Sequence, residues 1–263
     1  MRFKMLSKIV RNFYIQTYTY FAGFRDFKKE DAFDGWSKKE IVWLFICILL
    51  TAMTSILTQA ESIIFIYSLL GIINLILVAK GKLLNYFVGV VSCFLYAIIS
   101  LQNQVYGQFL LFILFFTPMQ FYGWYIWSNP KNMYTSSTII SKRLTLKQFL
   151  LILALIVTCA FLYGYFILYK FFGQNIGLLA DSLVGVVSVI AFLLMVRSYA
   201  EQWALWIIID ILTIVIWLDG LIGKEITLAL IPVVITRTLT LINAFYGYTS
   251  WLKMNKMQTK EIK

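Results

Sequence analysis

Most of this chain consists of long apolar runs. The length of each run is close to the roughly 20 residues that an α-helix needs to cross a bilayer. Backbone groups cannot bond to water inside a bilayer, so runs of this length favour membrane-spanning helices. Hydrophobic residues make up 61% of the chain and charged residues 13%, which is far from the composition of soluble domains. We therefore predict an all-α polytopic membrane protein. The predicted spans are residues 41–59, 61–79, 83–101, 107–127, 148–169, 178–196, 203–219 and 226–252.

The positions of the basic residues predict how these spans are oriented. If the amino terminus is cytoplasmic, 20 of the 23 Lys and Arg fall on the cytoplasmic side of the membrane. They lie before the first span, in alternate loops and after the last span. Lys170 and Lys224 fall on the other side, and Arg237 lies within a span. Cytoplasmic loops of membrane proteins carry such an excess of Lys and Arg. The pattern predicts both termini in the cytoplasm, and it explains the net charge of +11 without a nucleic-acid partner.

The segment before the first span, residues 1–40, is basic and aromatic. An interfacial amphipathic helix on the inner leaflet is one interpretation, and a flexible cytoplasmic tail is the other. We expect no secretory signal peptide, because no short apolar core is followed by a cleavage site. The chain has no His, and its three Cys stand singly in separate apolar segments. We therefore expect no metal site, no cofactor and no disulfide.

A repeated aromatic motif indicates two related halves. Residues 121–127 match residues 245–251 at an offset of 124, with a shared Phe-Tyr-Gly sequence and a final Trp. The offset covers four spans, an even number, so both copies cross the membrane in the same direction. We predict two parallel three-helix repeats joined by a linker helix, a 3+1+3 arrangement, plus one amino-terminal helix. The predicted divisions are 1–40, 41–59 (the additional first helix), 61–127 (the first unit), 148–169 (the linker helix), 178–252 (the second unit) and 253–263 (a cytoplasmic tail).

Two indoles and a carboxylate share one face of the seventh span. Trp203, Trp206 and Asp210 are separated by three and four residues, the spacing of neighbours on a helix surface. An ionisable group in a membrane span usually faces a cavity or a binding site, and indole is the best aromatic partner for a cation. The stripe therefore favours a flat cationic ligand. The alternatives are an interfacial position for Trp203 and a structural pairing of Asp210 with Arg237.

The residues around this stripe resemble the carboxyl-terminal signature of the PnuC family of nicotinamide riboside transporters. The matching positions are Asp181, Ser182, Ser188, Ala191, Leu194, Met195, Arg197, Tyr199, Glu201, Trp203, Leu205, Trp206 and Asp210. Similar first-half motifs occur at Asn85, Tyr86, Gly89, Tyr106, Gln120, Tyr122, Gly123, Trp124 and Trp127. The resemblance covers residues from about 60 to 252. Two positions depart from it: Asp210 stands where many members have Asn, and the apolar run 109–116 where many have a Gln.

The resemblance implies a fold similar to a full-length SWEET sugar transporter, a homotrimer and a place in the bacterial inner membrane. It also implies nicotinamide riboside uptake that feeds NAD biosynthesis, with trapping by a separate cytoplasmic nicotinamide riboside kinase. For this ligand we assign Trp203 and Trp206 to stacking and Asp210 to charge or hydroxyl recognition. Polar contacts are assigned to Gln120, Asn85, Tyr86 and Asn243. The structural alternatives are belt or packing contacts for Gln120, capping for Asn85 and Tyr86, and interhelical bonding for Asn243.

The sequence shows no nucleotide-binding loop, soluble ATPase domain or evident relay of intramembrane carboxylates, so we predict facilitated diffusion with alternating access. Pro118 and Pro232 predict kinks in spans four and eight, the candidate moving elements. Trp124, Trp127 and Trp251 are predicted as interfacial anchors. Thiamine or riboflavin are alternative substrates, and a receptor or scaffold without flux is the alternative class. We expect no enzyme, because no cluster of titratable or metal-binding groups is evident.

Overall fold

The computed structural model describes residues 35–59, 61–102, 106–133, 138–169, 176–221 and 231–261. Most of these residues are helical. The helices are α1 (Lys38–Leu57), α2 (Ser62–Ala79), α3 (Leu84–Gln102), α4 (Tyr106–Leu111), α5 (Thr117–Trp127), α6 (Leu146–Tyr163), α7 (Ile176–Val196), α8 (Gln202–Leu221) and α9 (Ile231–Glu261). Two π-helical turns, Phe112–Phe116 and Gly164–Tyr169, precede α5 and follow α6. Most of the predicted amino-terminal segment, together with Lys170 and Lys224, lies outside the described residues.

The helices have the length and surface of a membrane protein. Among the described residues, five stretches are long and apolar enough to cross a bilayer, namely Lys38–Leu57, Ser62–Ala79, Leu84–Gln102, Gln108–Trp127 and Leu146–Phe166. Shorter apolar stretches, Leu183–Val196 and Gln202–Val215, lie in α7 and α8. Large apolar side chains such as Phe45, Ile56 and Leu114 are more than two-thirds exposed. Such a surface is stable against lipid rather than water, so the predicted polytopic helical class is confirmed.

Helices α1 and α6 begin with the same capping box. The hydroxyls of Ser37 and Thr145 accept from the backbone N–H three residues later, at Glu40 and Gln148, and those side chains bond back to the cap. This reciprocal pair satisfies two N–H groups that a helix start would leave free. Helix α1 then packs against α2, and α6 packs against α7. Each predicted unit is thus preceded by a helix that packs on its first member.

The fourth predicted span is irregular at Pro118. Proline lacks an N–H and its ring clashes with the carbonyl four residues earlier. The residues before α5 form a π-helical turn, in which the N–H of Thr117 donates to the carbonyl of Phe112. The wider turn accommodates the proline, as π-bulges do inside α-helices. Pro232 lies at the start of the described part of α9.

The chain leaves α2 and α7 through the same turn. Gly81 and Ser198 adopt left-handed φ angles of 63° and 64°. In both turns, the N–H of the next residue donates to the carbonyl five residues before it at 2.9 Å. This bond defines a Schellman motif. Glycine adopts the left-handed conformation freely, whereas a serine in it must be held by its surroundings.

A connecting segment, residues 138–145, joins the two turns. The N–H of Ile139 donates to the carbonyl of Gly81 at 3.3 Å, and the N–H of Lys142 donates to the carbonyl of Ser198 at 2.8 Å. The turns after α2 and α7 and this connecting segment therefore meet at one end of the helices. We call this end the basic end, because several of the Lys and Arg outside the predicted spans lie there.

Helix α9 continues into the predicted cytoplasmic tail, residues 253–263, and is described as far as Glu261. Neither Gly nor Pro interrupts the extension, and its polar side chains bond to the connecting segment. The amide of Asn255 donates to the carbonyl of Ser141 at 2.6 Å. The amide of Gln258 donates to the carbonyl of Ile139 at 3.0 Å and accepts from the N–H of Ser141 at 2.9 Å.

Helix α1 is fastened to both predicted units through one carboxylate. Glu40 accepts from the ammonium of Lys80 at 3.0 Å, and the hydroxyl of Tyr246 donates to it as well. Lys80 follows α2 in the first unit, and Tyr246 belongs to α9 in the second. Helix α1 also packs against both α2 and α9, so it covers a junction between the units.

Candidate binding site

In the second unit, α9 presents small and polar residues to the predicted stripe on α8. A methyl group on Gly247 would come within 2.6 Å of the Trp203 indole. Two turns away, the hydroxyl of Thr240 donates to Asp210 at 3.0 Å. The two contacts define an antiparallel register, which places Asn243 level with Trp206. One face of α9 therefore borders the whole stripe.

The carboxylate of Asp210 is paired within the protein. Its Oδ1 accepts from Thr240 and lies 3.5 Å from the guanidinium of Arg237. The Asp210 side chain is 7% exposed and that of Arg237 is 42% exposed, so the arginine reaches the buried acid from the surface. The structural pairing considered as an alternative is therefore present.

The first unit pairs α3 with α5 in the same antiparallel way. A methyl group on Gly123 would collide with the ring of Tyr86, and one on Gly89 would lie 2.5–2.6 Å from the Gln120 amide. The amide nitrogen of Gln120 also lies 3.6 Å from the sulfur of Cys93. Tyr86 and Gln120 are thus seated against glycines inside the first unit.

Four aromatic rings connect the two units. Tyr86 packs edge-on against Trp127 at 4.9 Å between centroids, Trp127 lies 6.0 Å from Trp251, and Trp251 lies 6.2 Å from Trp203. All four side chains are at most 1% exposed. We call this series the ring chain. It connects the predicted site residue Tyr86 on α3 to the predicted site residue Trp203 on α8.

The central pair of the ring chain also bonds across the units. The indole N–H of Trp127 donates to the carbonyl of Val196 at 3.1 Å, and that of Trp251 donates to the carbonyl of Val78 at 3.0 Å. The predicted role of Trp127 and Trp251 as interfacial anchors is wrong, because anchors must contact the membrane surface and these side chains are fully buried. Trp124 is buried as well.

Unpaired polar atoms are concentrated on the same helices. Among the described residues, the Tyr86 hydroxyl, Gln120 Oε1, the Trp203 N–H and both amide atoms of Asn243 are buried without a hydrogen-bond partner. An unpaired buried polar group costs about 1–3 kcal/mol, so its presence requires an explanation such as a function or a bound molecule. Further atoms of this kind are Asn85 Oδ1, Ser92 Oγ, both amide atoms of Gln202 and, on α1 and α2, Trp43 Nε1 and Asn74 Oδ1.

The structure brings most of the predicted site residues to one interior region. Tyr86 and Trp203 are joined by the ring chain, and Trp206 packs half-buried against the same core. Gln120 and Asn243 lie on the helices that border it. Asn85 makes a capping contact, because its Nδ2 donates to the carbonyl of Lys82 at 2.6 Å. Its Oδ1 is unpaired and is available to a ligand.

Several residues that shape the site were not predicted. Gly89, Gly123 and Gly247 make room for the side chains opposite them, and Thr240 holds the carboxylate of Asp210. The repeated Phe-Tyr-Gly sequence could have indicated two of the three glycines, because glycine in a membrane helix allows close approach of a neighbour. The role of Thr240 has no signal in the sequence, since it depends on the register of α8 against α9.

The fold and the site define a class: a polytopic helical membrane protein with a buried aromatic interior that is lined by unpaired polar groups. A sequence profile described as nicotinamide mononucleotide transporter matches residues 61–253. The chain therefore belongs to this family, that of the PnuC transporters, as its motifs indicated.

Individual relatives match over most of their length. The nicotinamide riboside transporter PnuC of Neisseria mucosa is 33% identical over 233 residues, covering 87% of this chain and 86% of that protein. The PnuC protein of Haemophilus influenzae is 30% identical over 232 residues, covering 87% and 96%. The crystal structure of the vitamin B3 transporter PnuC aligns with a TM-score of 0.72 at 32% identity, covering 88% of this chain and 97% of that chain.

Proposed function

We propose that this protein takes up nicotinamide riboside across the bacterial inner membrane. The observation that carries the proposal is the group of buried, unpaired polar atoms beside the indoles of the two units. A pyridinium nucleoside has a flat cation for the indole faces, and a carboxamide and ribose hydroxyls for the polar atoms. The relatives named as nicotinamide riboside transporters support this ligand over thiamine and riboflavin, which are alternative aromatic vitamins.

Each predicted site residue receives a role in this proposal. Trp203 and Trp206 stack on the pyridinium, and Asp210 accepts from a ribose hydroxyl. Since Arg237 already neutralises much of the Asp210 charge, hydroxyl recognition fits this carboxylate better than pure charge attraction. Polar contacts come from Gln120, Asn85, Tyr86 and Asn243.

We also propose the 3+1+3 arrangement, with units at 61–127 and 178–252 and α6 as the linker helix. Three pairs of matching contacts support it. They are the Schellman turns at Gly81 and Ser198, the glycine contacts at Gly123 and Gly247, and the two indole–carbonyl bonds made by Trp127 and Trp251, which we call the crossed indole bonds. The capping boxes of α1 and α6 suggest that the additional first helix has a counterpart in the linker helix. This arrangement is that of a SWEET-like transporter.

Alternating access in this proposal depends on the ring chain. The rings and the two indole–carbonyl bonds close the site toward the basic end, and the site opens there when Trp127 parts from Val196 and Trp251 parts from Val78. Movement of one unit against the other around a fixed site is the common mode of transporters built from repeats. The π-helical turn before Pro118 provides a position at which the first unit can bend.

The proposed transport is facilitated diffusion. Glu40, Glu61, Glu201 and Glu261, the other carboxylates whose side chains are described, lie at or near helix ends, and Asp210 is paired with Arg237. These residues provide no continuous relay for protons. Accumulation then requires a cytoplasmic nicotinamide riboside kinase, whose product enters NAD biosynthesis.

Orientation and assembly complete the proposal. Both termini are cytoplasmic, which the positive-inside pattern supports, and the protein forms a homotrimer as the family resemblance implies. Maleimide labelling of single cysteines in segment 128–147 should succeed from the cytoplasmic side alone. Light scattering of the purified protein in detergent should give the mass of three chains, and a monomer mass would contradict the trimer.

Flux into liposomes that contain the purified full chain tests the function. Labelled nicotinamide riboside should equilibrate down its gradient, and neither a pH gradient nor a sodium gradient should drive accumulation. Accumulation driven by either gradient would refute facilitated diffusion. Binding without flux would favour the receptor alternative, and calorimetry with nicotinamide riboside, thiamine and riboflavin side by side identifies the preferred vitamin.

A further inference from the structure

The side chain of Gln202 is buried without a partner at the start of α8. Its exposure is 0%, and neither its amide oxygen nor its amide nitrogen has a hydrogen-bond partner among the described residues. A glutamine amide has one acceptor and two donors to satisfy.

Gln258 shows how the same side chain is accommodated when its role is structural. Its exposure is 2%, and its amide is paired on both sides, with the N–H of Ser141 and the carbonyl of Ile139. Both glutamines are buried to a similar extent, so burial does not explain the difference. The unpaired amide of Gln202 instead has the hydrogen-bonding groups of a recognition site.

The helix places Gln202 in register with the proposed binding stripe. Gln202, Trp206 and Asp210 follow each other at intervals of four residues, so they lie on one face of α8. Each interval corresponds to about 6 Å along the helix axis. The face therefore presents an amide, an indole and a carboxylate in that order.

We propose that Gln202 recognises the primary carboxamide of the substrate, an inference that rests on the proposed function. In nicotinamide riboside the ribose is attached to the ring nitrogen and the carboxamide to carbon 3, so the two groups project from the pyridinium in different directions. With the pyridinium on Trp206 and the ribose toward Asp210, the carboxamide points to Gln202. The two amides pair through two hydrogen bonds, since each supplies an N–H donor and a carbonyl acceptor.

This pairing makes Gln202 a specificity-determining residue. A ligand with a carboxylate in place of the carboxamide has no N–H for the Gln202 oxygen, and a ligand without the substituent leaves the whole amide buried and unpaired. Sites that pair with a polar group reject analogues that lack it for this reason. Two neutral hydrogen bonds correspond to a preference of about fivefold to one-hundredfold.

Calorimetry on the purified full chain tests the assignment with three ligands: nicotinamide riboside, nicotinic acid riboside and the pyridinium riboside that has no carboxamide. The wild type should prefer nicotinamide riboside over both analogues by about fivefold to one-hundredfold. Gln202→Leu and the nearly isosteric Gln202→Met should bind nicotinamide riboside and the unsubstituted pyridinium riboside with similar affinity.

Thermal unfolding of the ligand-free variants separates recognition from a structural role. Gln202→Leu and Gln202→Met should unfold no earlier than the wild type, because they remove an amide that has no partner. The matched control Gln258→Leu should unfold earlier and keep the preference for the carboxamide. If both Gln202 variants fail to fold, or fold and keep the wild-type preference, the assignment is wrong. If the wild type binds none of the three nucleosides, the proposed function fails instead.

Discussion

The two proposed units have matching helix contacts and differ in the side chains at corresponding positions. On the middle helices, residues of the first unit correspond to residues of the second at an offset of 117, so that Tyr86 corresponds to Trp203. Each of these rings is seated against the glycine of a Phe-Tyr-Gly sequence, at Gly123 and Gly247. The glycine contacts therefore belong to the scaffold rather than to one ligand-binding half.

At the same offset, the groups proposed for ligand recognition are unequal. Gly89 of the first unit stands where the second has Trp206, and Cys93 stands where the second has Asp210. The first unit instead places Gln120 against Gly89. In the first unit the bulky polar side chain is on the third helix, whereas in the second the bulky aromatic is on the middle helix. A shared backbone can therefore support an asymmetric site, which an asymmetric ligand requires.

The largest effect of a single added methyl group is expected at the shared glycines. Gly123→Ala and Gly247→Ala should each destabilise the protein by about 1–3 kcal/mol, because the added methyl group meets a ring that its neighbours hold in place. The measurement is thermal unfolding of the purified protein in detergent. Gly71→Ala and Gly185→Ala are the controls, since no neighbour lies within 4 Å of their added methyl groups. A loss of stability in only one of the two variants would show that the two glycine contacts are not equivalent.

Alanine variants of the two indoles of the stripe should lose similar affinity but different amounts of stability. Trp206→Ala should weaken binding of the preferred vitamin by about 1–3 kcal/mol through lost burial and cation–π attraction. It should lower the unfolding temperature less than Trp203→Ala does, because Trp206 is only half-buried. Trp203→Ala should reduce affinity by a similar amount and also lower the unfolding temperature, since it removes one end of the ring chain. Calorimetry and thermal unfolding test the pair. Unchanged affinity in two well-folded variants would make the stripe a packing surface.

Removing each of the two crossed indole bonds should cost a smaller and unequal amount of stability. Trp127→Phe should cost about 0.5–1.5 kcal/mol of stability, because it removes a hydrogen bond to the carbonyl of Val196. Trp251→Phe should cost less, since the carbonyl of Val78 also accepts from the N–H of Gly81 at 2.9 Å. Unfolding in detergent compares the two variants. The reverse order would show that the ring contacts outweigh these bonds.

The smallest effect is expected for the charge of Asp210. Asp210→Asn keeps a carbonyl oxygen for Thr240 and for a ligand hydroxyl, and the charge that it removes is already paired with Arg237. We expect less than about 1 kcal/mol of lost affinity, which is the upper range for a weakly coupled ion pair. A loss many times larger, measured by calorimetry, would show that the carboxylate acts on the pyridinium through its charge.

Much of the fold was accessible from local sequence patterns. Every predicted span overlaps a helix in the described residues, because helix formation in a bilayer follows from the length and hydropathy of each run. The Phe-Tyr-Gly repeat indicated related units, and the motifs around Trp203 and Trp206 indicated the family, which the comparisons confirm. These signals are local, since each lies within a few turns of one helix.

The positions of individual side chains depended on the tertiary structure. Trp127 and Trp251 resemble interfacial anchors in the sequence, and only the crossing of the units shows them buried with their N–H groups paired. Gln202 and Gln258 are the same residue type, and only the packing shows one paired and the other unpaired. The reason is physical: in lipid the outward and inward faces of a helix are both apolar, so hydropathy does not show which face meets a neighbour. By itself, the sequence determined the membrane class, the helices and the family of this protein, whereas the contacts between helices decided which polar groups are left for a ligand.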